Sequence, residues 1–336
     1  MKTKYSVRYL PLISIVLFIS CSSTNAVRSE KSWIDLGSIP YGADENQYVE
    51  ITAPKYNNQN VNVIFFVHGY GNRMADPVFL EKYRENYIIG KLDYRFLTPA
   101  RTDLSMDELL SDVHNGLRTL KDSAEAKGIK LNKVIMIGNS FGAALSLMYS
   151  YTFLDKTPIP IAFCVALAGI TDVSDTMVIH YIKHAGSKRI LRYFLASVSI
   201  LSKETLSIND VTELGFSGNA IEAVKKISPI YYVNESVPPA IILHDTGDIL
   251  VPFSNAASLS HVLNAYNVPN IFIQSVTSSG HILGTNVRNK NDLVFAPAAD
   301  ARLPASSPKR YTRQLHPLLE EKLLESIDKF IDQFID

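Results

Sequence analysis

The residues of this chain that could do chemistry begin with Ser140. It stands in Gly138-Asn139-Ser140-Phe141-Gly142, after the apolar run "KVIMI" and before the small-residue stretch "FGAALSLMYSYTF". A serine at a strand-to-helix turn either caps the helix or presents its hydroxyl as a nucleophile. The second role needs a sharp turn, and Gly138 and Gly142 leave room for one. The amino end of the next helix would favour negative charge developing beside the serine. An attacking hydroxyl also needs a base and an acid to orient that base.

Eight histidines are candidates for the base. His281, in "SVTSSGHILG", follows the last apolar run and falls at the same carboxyl edge of a sheet as Ser140. His68, in "VHGYG", ends an early run and is expected to pack beneath the site. His244 ends another run and is expected in the core or behind the site. His180, His184, His261 and His316 fall in helical patterns and read as surface residues. For the acid, "IILHDTGDILVP" offers Asp245 and Asp248. Asp248 is preferred, because it lies in the turn after the run and can point toward a histidine loop. Asp245, at the end of the run, and Asp172, after the preceding run, are the alternatives.

These side chains need a scaffold. The runs "VNVIFFVHG", "YIIGKLDYR", "KVIMIG", "IAFCVALAG", "PAIILHD" and "NIFIQSV" are almost continuously apolar. That pattern suits parallel strands buried on both faces. Helical patterns separate them. One runs from about Ser105 to Lys127, where Ser105 and Glu108 have capping-box spacing. A second starts at the Ser140 turn, and a third spans about Asn255 to Tyr266. The last opens at Pro317 and carries Leu319, Leu323, Ile327, Phe330, Ile331 and Phe334 on one stripe. The alternation predicts an α/β fold with a doubly wound, mostly parallel sheet. From about residue 172 to 227 no strand run is visible, and amphipathic stretches predict a helical cap insertion over the carboxyl ends of the strands. Thr285 to Arg313 reads as a long surface loop that includes the basic "PKRYTR".

Composition excludes other classes. The 336 residues carry 33 Lys+Arg and 33 Asp+Glu, so nothing in the overall charge favours nucleic acid. There is no CxxC, no HExxH and no Cys/His cluster, so neither a metal nor another cofactor is expected. Of the two cysteines, Cys164 lies within an apolar run and reads as a buried strand residue.

The amino terminus has a different character. Lys2, Lys4 and Arg8 precede "LPLISIVLFIS", and Cys21 and a polar stretch follow. Residues 1–20 have the layout of a secretory signal. Cys21 resembles the acylated cysteine of a bacterial lipoprotein, although Phe18 stands where that motif usually has leucine. The resemblance implies a lipid anchor at Cys21, a tether over 21–32, a globular domain over 33–336 and a place on a membrane of the bacterial cell envelope. A plain signal peptide would instead yield a secreted or periplasmic protein.

From about Glu50 to Asp336 the chain resembles an α/β-hydrolase-fold esterase. "HGYG", His68 to Gly71, is similar to the His-Gly-Gly-Gly oxyanion loop of the hormone-sensitive-lipase-like and small acyl-esterase branches. "DYRFLTPA", "GNSFG", "SPIYYVNESVPPAIILHDTGDILVP" and "SGH" follow in the order of that fold. The resemblance implies a serine hydrolase, a carboxylesterase, with Ser140, Asp248 and His281 as its triad and no cofactor. It implies that the N–H groups of Tyr70 and Phe141 hold the oxyanion, with Gly69 nearby. Tyr70 departs from the family pattern, which has glycine there. The expected partner is a small ester with an apolar group. A peptidase or lipase on the same fold, and a binding lipoprotein without turnover, are the other readings.

Overall fold

The structure is a computed structural model that describes residues 32–55, 60–69, 76–97, 101, 103–185, 188–212, 215–277, 279–284, 312–313 and 315–335. In chain order the first strands are β1 (Trp33–Pro40), β2 (Tyr48–Pro54), β3 (Val61–Val67), β4 (Asp76–Pro77) and β5 (Tyr87–Asp93). Then come α1 (Met106–Glu125), β6 (Leu131–Asn139), α2 (Phe141–Thr152) and β7 (Ile161–Leu167). The next segment holds α3 (Thr176–Ala185), α4 (Lys188–Ser202), β8 (Val211–Thr212), β9 (Gly215–Phe216) and α5 (Asn219–Lys226). The chain closes with β10 (Ala240–Asp245), α6 (Phe253–Ala265), β11 (Asn270–Ser275), β12 (Thr312–Arg313) and α7 (Pro317–Phe334).

The central sheet has eight strands in the order β1-β2-β5-β3-β6-β7-β10-β11. From β5 to β11 every neighbouring pair is parallel. These six strands are the six apolar runs of the sequence, and their burial explains the pattern. Successive side chains of a strand point to opposite faces. Val63 and Phe65 of β3 and Val134 and Met136 of β6 join one core with α1, α2 and α6. Ile64, Phe66, Ile135 and Ile137 join a second core on the other face, against Leu319, Leu323, Ile327 and Phe330 of α7. Ile331 and Phe334 of the same stripe pack at its margin.

On the antiparallel side of the sheet, β1 and β2, which continue outward from β5, were not legible as strands. β2 buries Val49, Ile51 and Ala53 on one face only, and β1 is half exposed, so neither forms a continuous apolar run. The arginine of the Asp-Tyr-Arg stretch ties this edge to α1. The Arg95 guanidinium makes a forked pair with Asp112, and Asp112 also accepts from Gln47 Nε2.

β7 and β10 are hydrogen-bonded neighbours, so α3, α4, the β8–β9 ribbon and α5 are an excursion between adjacent strands. The ribbon is a pair of strands that the helical patterns did not predict. At α1 the Ser105 hydroxyl accepts the Glu108 N–H as expected, but the Glu108 carboxylate bonds that hydroxyl instead of the Ser105 N–H. α6 starts at Phe253, two residues before the expected Asn255. Of the expected loop from Thr285 to Arg313, residues 285–311 lie outside the described residues. Thr312 and Arg313 are strand, pairing in parallel with Asp76 and Pro77, because backbone groups there find partners in β4.

Candidate active site

Ser140 ends the turn between β6 and α2 with φ 54° and ψ −121°, and its hydroxyl makes no capping bond to the helix. A residue with a Cβ is rarely stable there, at a cost of about 1–3 kcal/mol. The neighbours hold it in place. The Ser140 N–H donates to the Leu167 carbonyl at 2.8 Å, and the Ser140 carbonyl accepts from Ala143 N at 3.0 Å. A Cβ on Gly138 would lie 2.3 Å from the Gly142 carbonyl oxygen. One on Gly142 would lie 2.2 Å from the Val67 carbonyl oxygen. Both contacts are with backbone, so the two glycines let α2 rise directly against the ends of β6 and β3.

The freed hydroxyl faces His281. Its Oγ lies 2.8 Å from His281 Nε2, and His281 Nδ1 lies 2.8 Å from Asp248 Oδ2. A carboxylate can only accept, so Nδ1 carries the proton and donates it to Asp248. Nε2 then presents its lone pair to the serine hydroxyl, as a general base requires. Asp248 is itself well held. Its Oδ1 accepts the N–H groups of Leu250 and Val251 at 2.8 and 3.0 Å. Burial pushes its carboxyl up, but hydrogen bonds from His244 and His281 outweigh that and hold it well below the usual carboxylate range.

His244, fully buried, sits behind the acid. Its Nε2–H donates to the Val251 carbonyl at 2.9 Å and lies 3.2 Å from Asp248 Oδ2. Its Nδ1 is buried without a partner among the described residues. Asp245, the alternative acid, turns away from His281 and accepts from Gly247, Ser275 and Ser279. Asp172 is occupied by Ser174. Neither alternative meets the histidine.

Of the remaining expected site residues, Phe141 and Gly69 lie beside Ser140. Phe141 is the first residue of α2, so its N–H has no acceptor within the helix. Gly69 stands close to Ser140: a Cβ there would meet the Ser140 Cβ at 3.2 Å. His68 lies behind that loop. Its Nδ1–H donates to the Gly69 carbonyl at 2.7 Å, and its Nε2 lies 3.1 Å from Asp93 Oδ1. Tyr94 stacks on the ring and donates its hydroxyl to the His68 carbonyl at 3.0 Å. Tyr70 and Cys21 lie outside the described residues. His180 and His261 are exposed. The side chain of His184 is not among those described. His316, expected on a helix surface, is the half-buried residue preceding α7, because the helix starts only at Pro317. Cys164 is buried in β7, where burial pushes its thiol up to about 12.

The contacts of His244 and Asp245 escaped sequence reasoning. A usable signal was present, since hydroxyl residues crowd "SVTSSGH" just before His281, and a buried carboxylate needs such donors.

A family model described as BD-FAE matches residues 49–263. Among solved structures, an inhibited esterase B from Lactobacillus rhamnosis is 14% identical, with a TM-score of 0.59, over 91% of this chain and 90% of that one. A bacterial heroin esterase is 16% identical, with a TM-score of 0.57, over 93% and 87%. A truncated carbohydrate esterase from gut microbiota is 16% identical, with a TM-score of 0.53, over 75% and 91%. At such identities the likeness is one of fold, and the fold is that of the α/β-hydrolases. No curated protein matches the chain.

Proposed function

The chain belongs to the BD-FAE family, and from that premise we propose that it is a serine hydrolase that cleaves carboxylic esters through an acyl-enzyme. The observation that carries this reading is His281, held 2.8 Å from Asp248 on one side and 2.8 Å from Ser140 on the other. Ser140 Oγ attacks the acyl carbon and His281 Nε2 takes its proton. The carbonyl becomes an oxyanion, for which the Phe141 N–H, without an acceptor in its own helix, and that of Tyr70 are the donors. The tetrahedral centre collapses, the C–O bond to the alcohol breaks, and His281 returns the proton to the leaving oxygen. Water then repeats the sequence, with His281 as base, and releases the acid and Ser140. Asp248 holds the imidazole tautomer and stabilises the imidazolium of each step. The excursion between β7 and β10 shapes the pocket for an apolar group of the ester; its Tyr, Phe, Leu and Ile content supports this.

Most neighbours of like fold are named as esterases and one as an acylaminoacyl peptidase, which supports an ester substrate first and an amide second. A fluorophosphonate probe tests the nucleophile. Wild type should label, and Ser140→Ala and His281→Ala should not. Equal labelling of Ser140→Ala would sink the assignment, and no labelling of the wild type would favour a binding protein. A series of p-nitrophenyl esters of rising chain length separates esterase from lipase. Faster cleavage of aminoacyl amides than of any ester would identify a peptidase.

We also propose that Cys21 carries a lipid that places the enzyme on a membrane of the bacterial cell envelope. The charged start, the apolar run and the cysteine directly after it support this. Among the described residues no helix is long and apolar enough to cross a membrane. Metabolic labelling with an alkynyl fatty acid should mark the wild type, and a Cys21→Ser variant that stays labelled would refute the anchor.

A further inference from the structure

Asp245 ends β10 fully buried, and every partner it has among the described residues is a neutral donor. Its Oδ1 accepts from Gly247 N at 2.8 Å, inside the turn that presents Asp248 one residue later. Its Oδ2 accepts from the Ser275 hydroxyl, from the Ser279 N–H at 3.3 Å and from the Ser279 hydroxyl at 3.2 Å. Thr277 Oγ1 stands 3.3 Å from the same oxygen and 2.6 Å from the Ser279 hydroxyl. These residues make up the loop that leaves β11 and delivers His281 two residues after Ser279. Asp245 and Ser275 are also register partners where β10 and β11 end.

A buried carboxylate with only neutral donors is a costly way to hold two strand ends together. An apolar pair would close the same seam at lower cost. The carboxylate does something an apolar pair cannot: each oxygen fixes a different loop at hydrogen-bond distance. One oxygen holds the turn of the acid and the other holds the loop of the base. We propose that Asp245 is a positioning residue for the reaction, a clamp that sets the separation of Asp248 and His281. The inference rests on the triad assigned above. Asp245 touches no reacting atom and acts only through the two loops.

The test uses the full chain with Asp245→Ala, Asp245→Asn and the double variant Ser275→Ala/Ser279→Ala. In Asp245→Ala, kcat should fall on the order of 10²-fold with KM changed less than about twofold, as expected for a misplaced base. Asp245→Asn should recover part of the loss, because its amide oxygen can still accept from the Ser275–Ser279 loop. Adding Asp245→Ala to the serine variant should cost little more than Asp245→Ala alone, since all act through one seam. The His281 Nδ1–H bonded to Asp248 should give a far-downfield proton resonance that is absent in His281→Ala. That resonance should shift or broaden in Asp245→Ala and persist in Ser140→Ala. Asp245→Ala with wild-type kcat and an unmoved resonance would overturn the clamp. If Asp245→Ala does not fold, the serine variant decides the matter by the same two readouts. If the wild type turns over no ester, the proposed function fails, while the resonance still judges the clamp.

Discussion

Ser140 stands at φ 54°, where serine is strained and glycine is not. The candidate site therefore stores instability at the residue proposed to react. Ser140→Gly should abolish fluorophosphonate labelling and still raise stability by about 1 kcal/mol, the relieved strain exceeding the extra entropy of an unfolded glycine. Urea denaturation of the two proteins checks this; equal or lower stability of the glycine variant would contradict it. Asp248 gives a second outcome at this scale. Its folded carboxyl titrates below its unfolded value, so its contribution is fully present above the ordinary carboxylate range and is lost as pH falls toward the folded value. Wild type should exceed Asp248→Asn in stability at neutral pH, and the gap should narrow below about pH 4. A gap that widens on acidification would show that the two imidazoles do not hold the ionised form.

At the scale of elements, α2 leaves β6 at an angle that only two bare backbones permit. Gly142→Ala drives a methyl into the Val67 and His68 carbonyls, and no side chain can yield to make space. The cost should be about 3 kcal/mol or more, seen as a lowered midpoint of thermal unfolding. Labelling should fall with it, since the same shift moves Ser140. This element was open to reading from sequence because both its glycines and its flanking periodicity are local. So were the six parallel strands: β3, β6, β7 and β10 are buried on both faces and hence almost continuously apolar, and β5 and the edge strand β11 keep an apolar centre. β1 and β2 were not, because β1 is a half-exposed edge strand and β2 is buried on one face, which leaves only a short alternating trace. The role of Asp245 was not legible either. Its oxygens meet residues 30 and 34 positions away, a proximity created only by β10 lying beside β11. Position in the turn after the run favoured Asp248 over Asp245, without fixing where either carboxylate points. What separates them is which carboxylate the turn points at His281.

At the scale of the whole molecule, the loops that follow the parallel strands β6, β10 and β11 meet at one edge of the sheet. Ser140 and His281 are 141 positions apart, and His281 and Asp248 are 33 apart. The order Ser, Asp, His was visible along the chain; the meeting point depends on the register of β6, β7, β10 and β11. That dependence has a consequence in time. Contacts distant in sequence must wait for loop closure, and parallel strands are slow to pair. On refolding from denaturant, helical signal by circular dichroism should return first, and reactivity toward the fluorophosphonate should lag behind it. Simultaneous recovery of the two signals would mean that the sheet closes in a single step. With a lag, the chain passes through a compact interval in which Ser140 is already on its turn but has no base beside it, so the hydrolase is born unarmed.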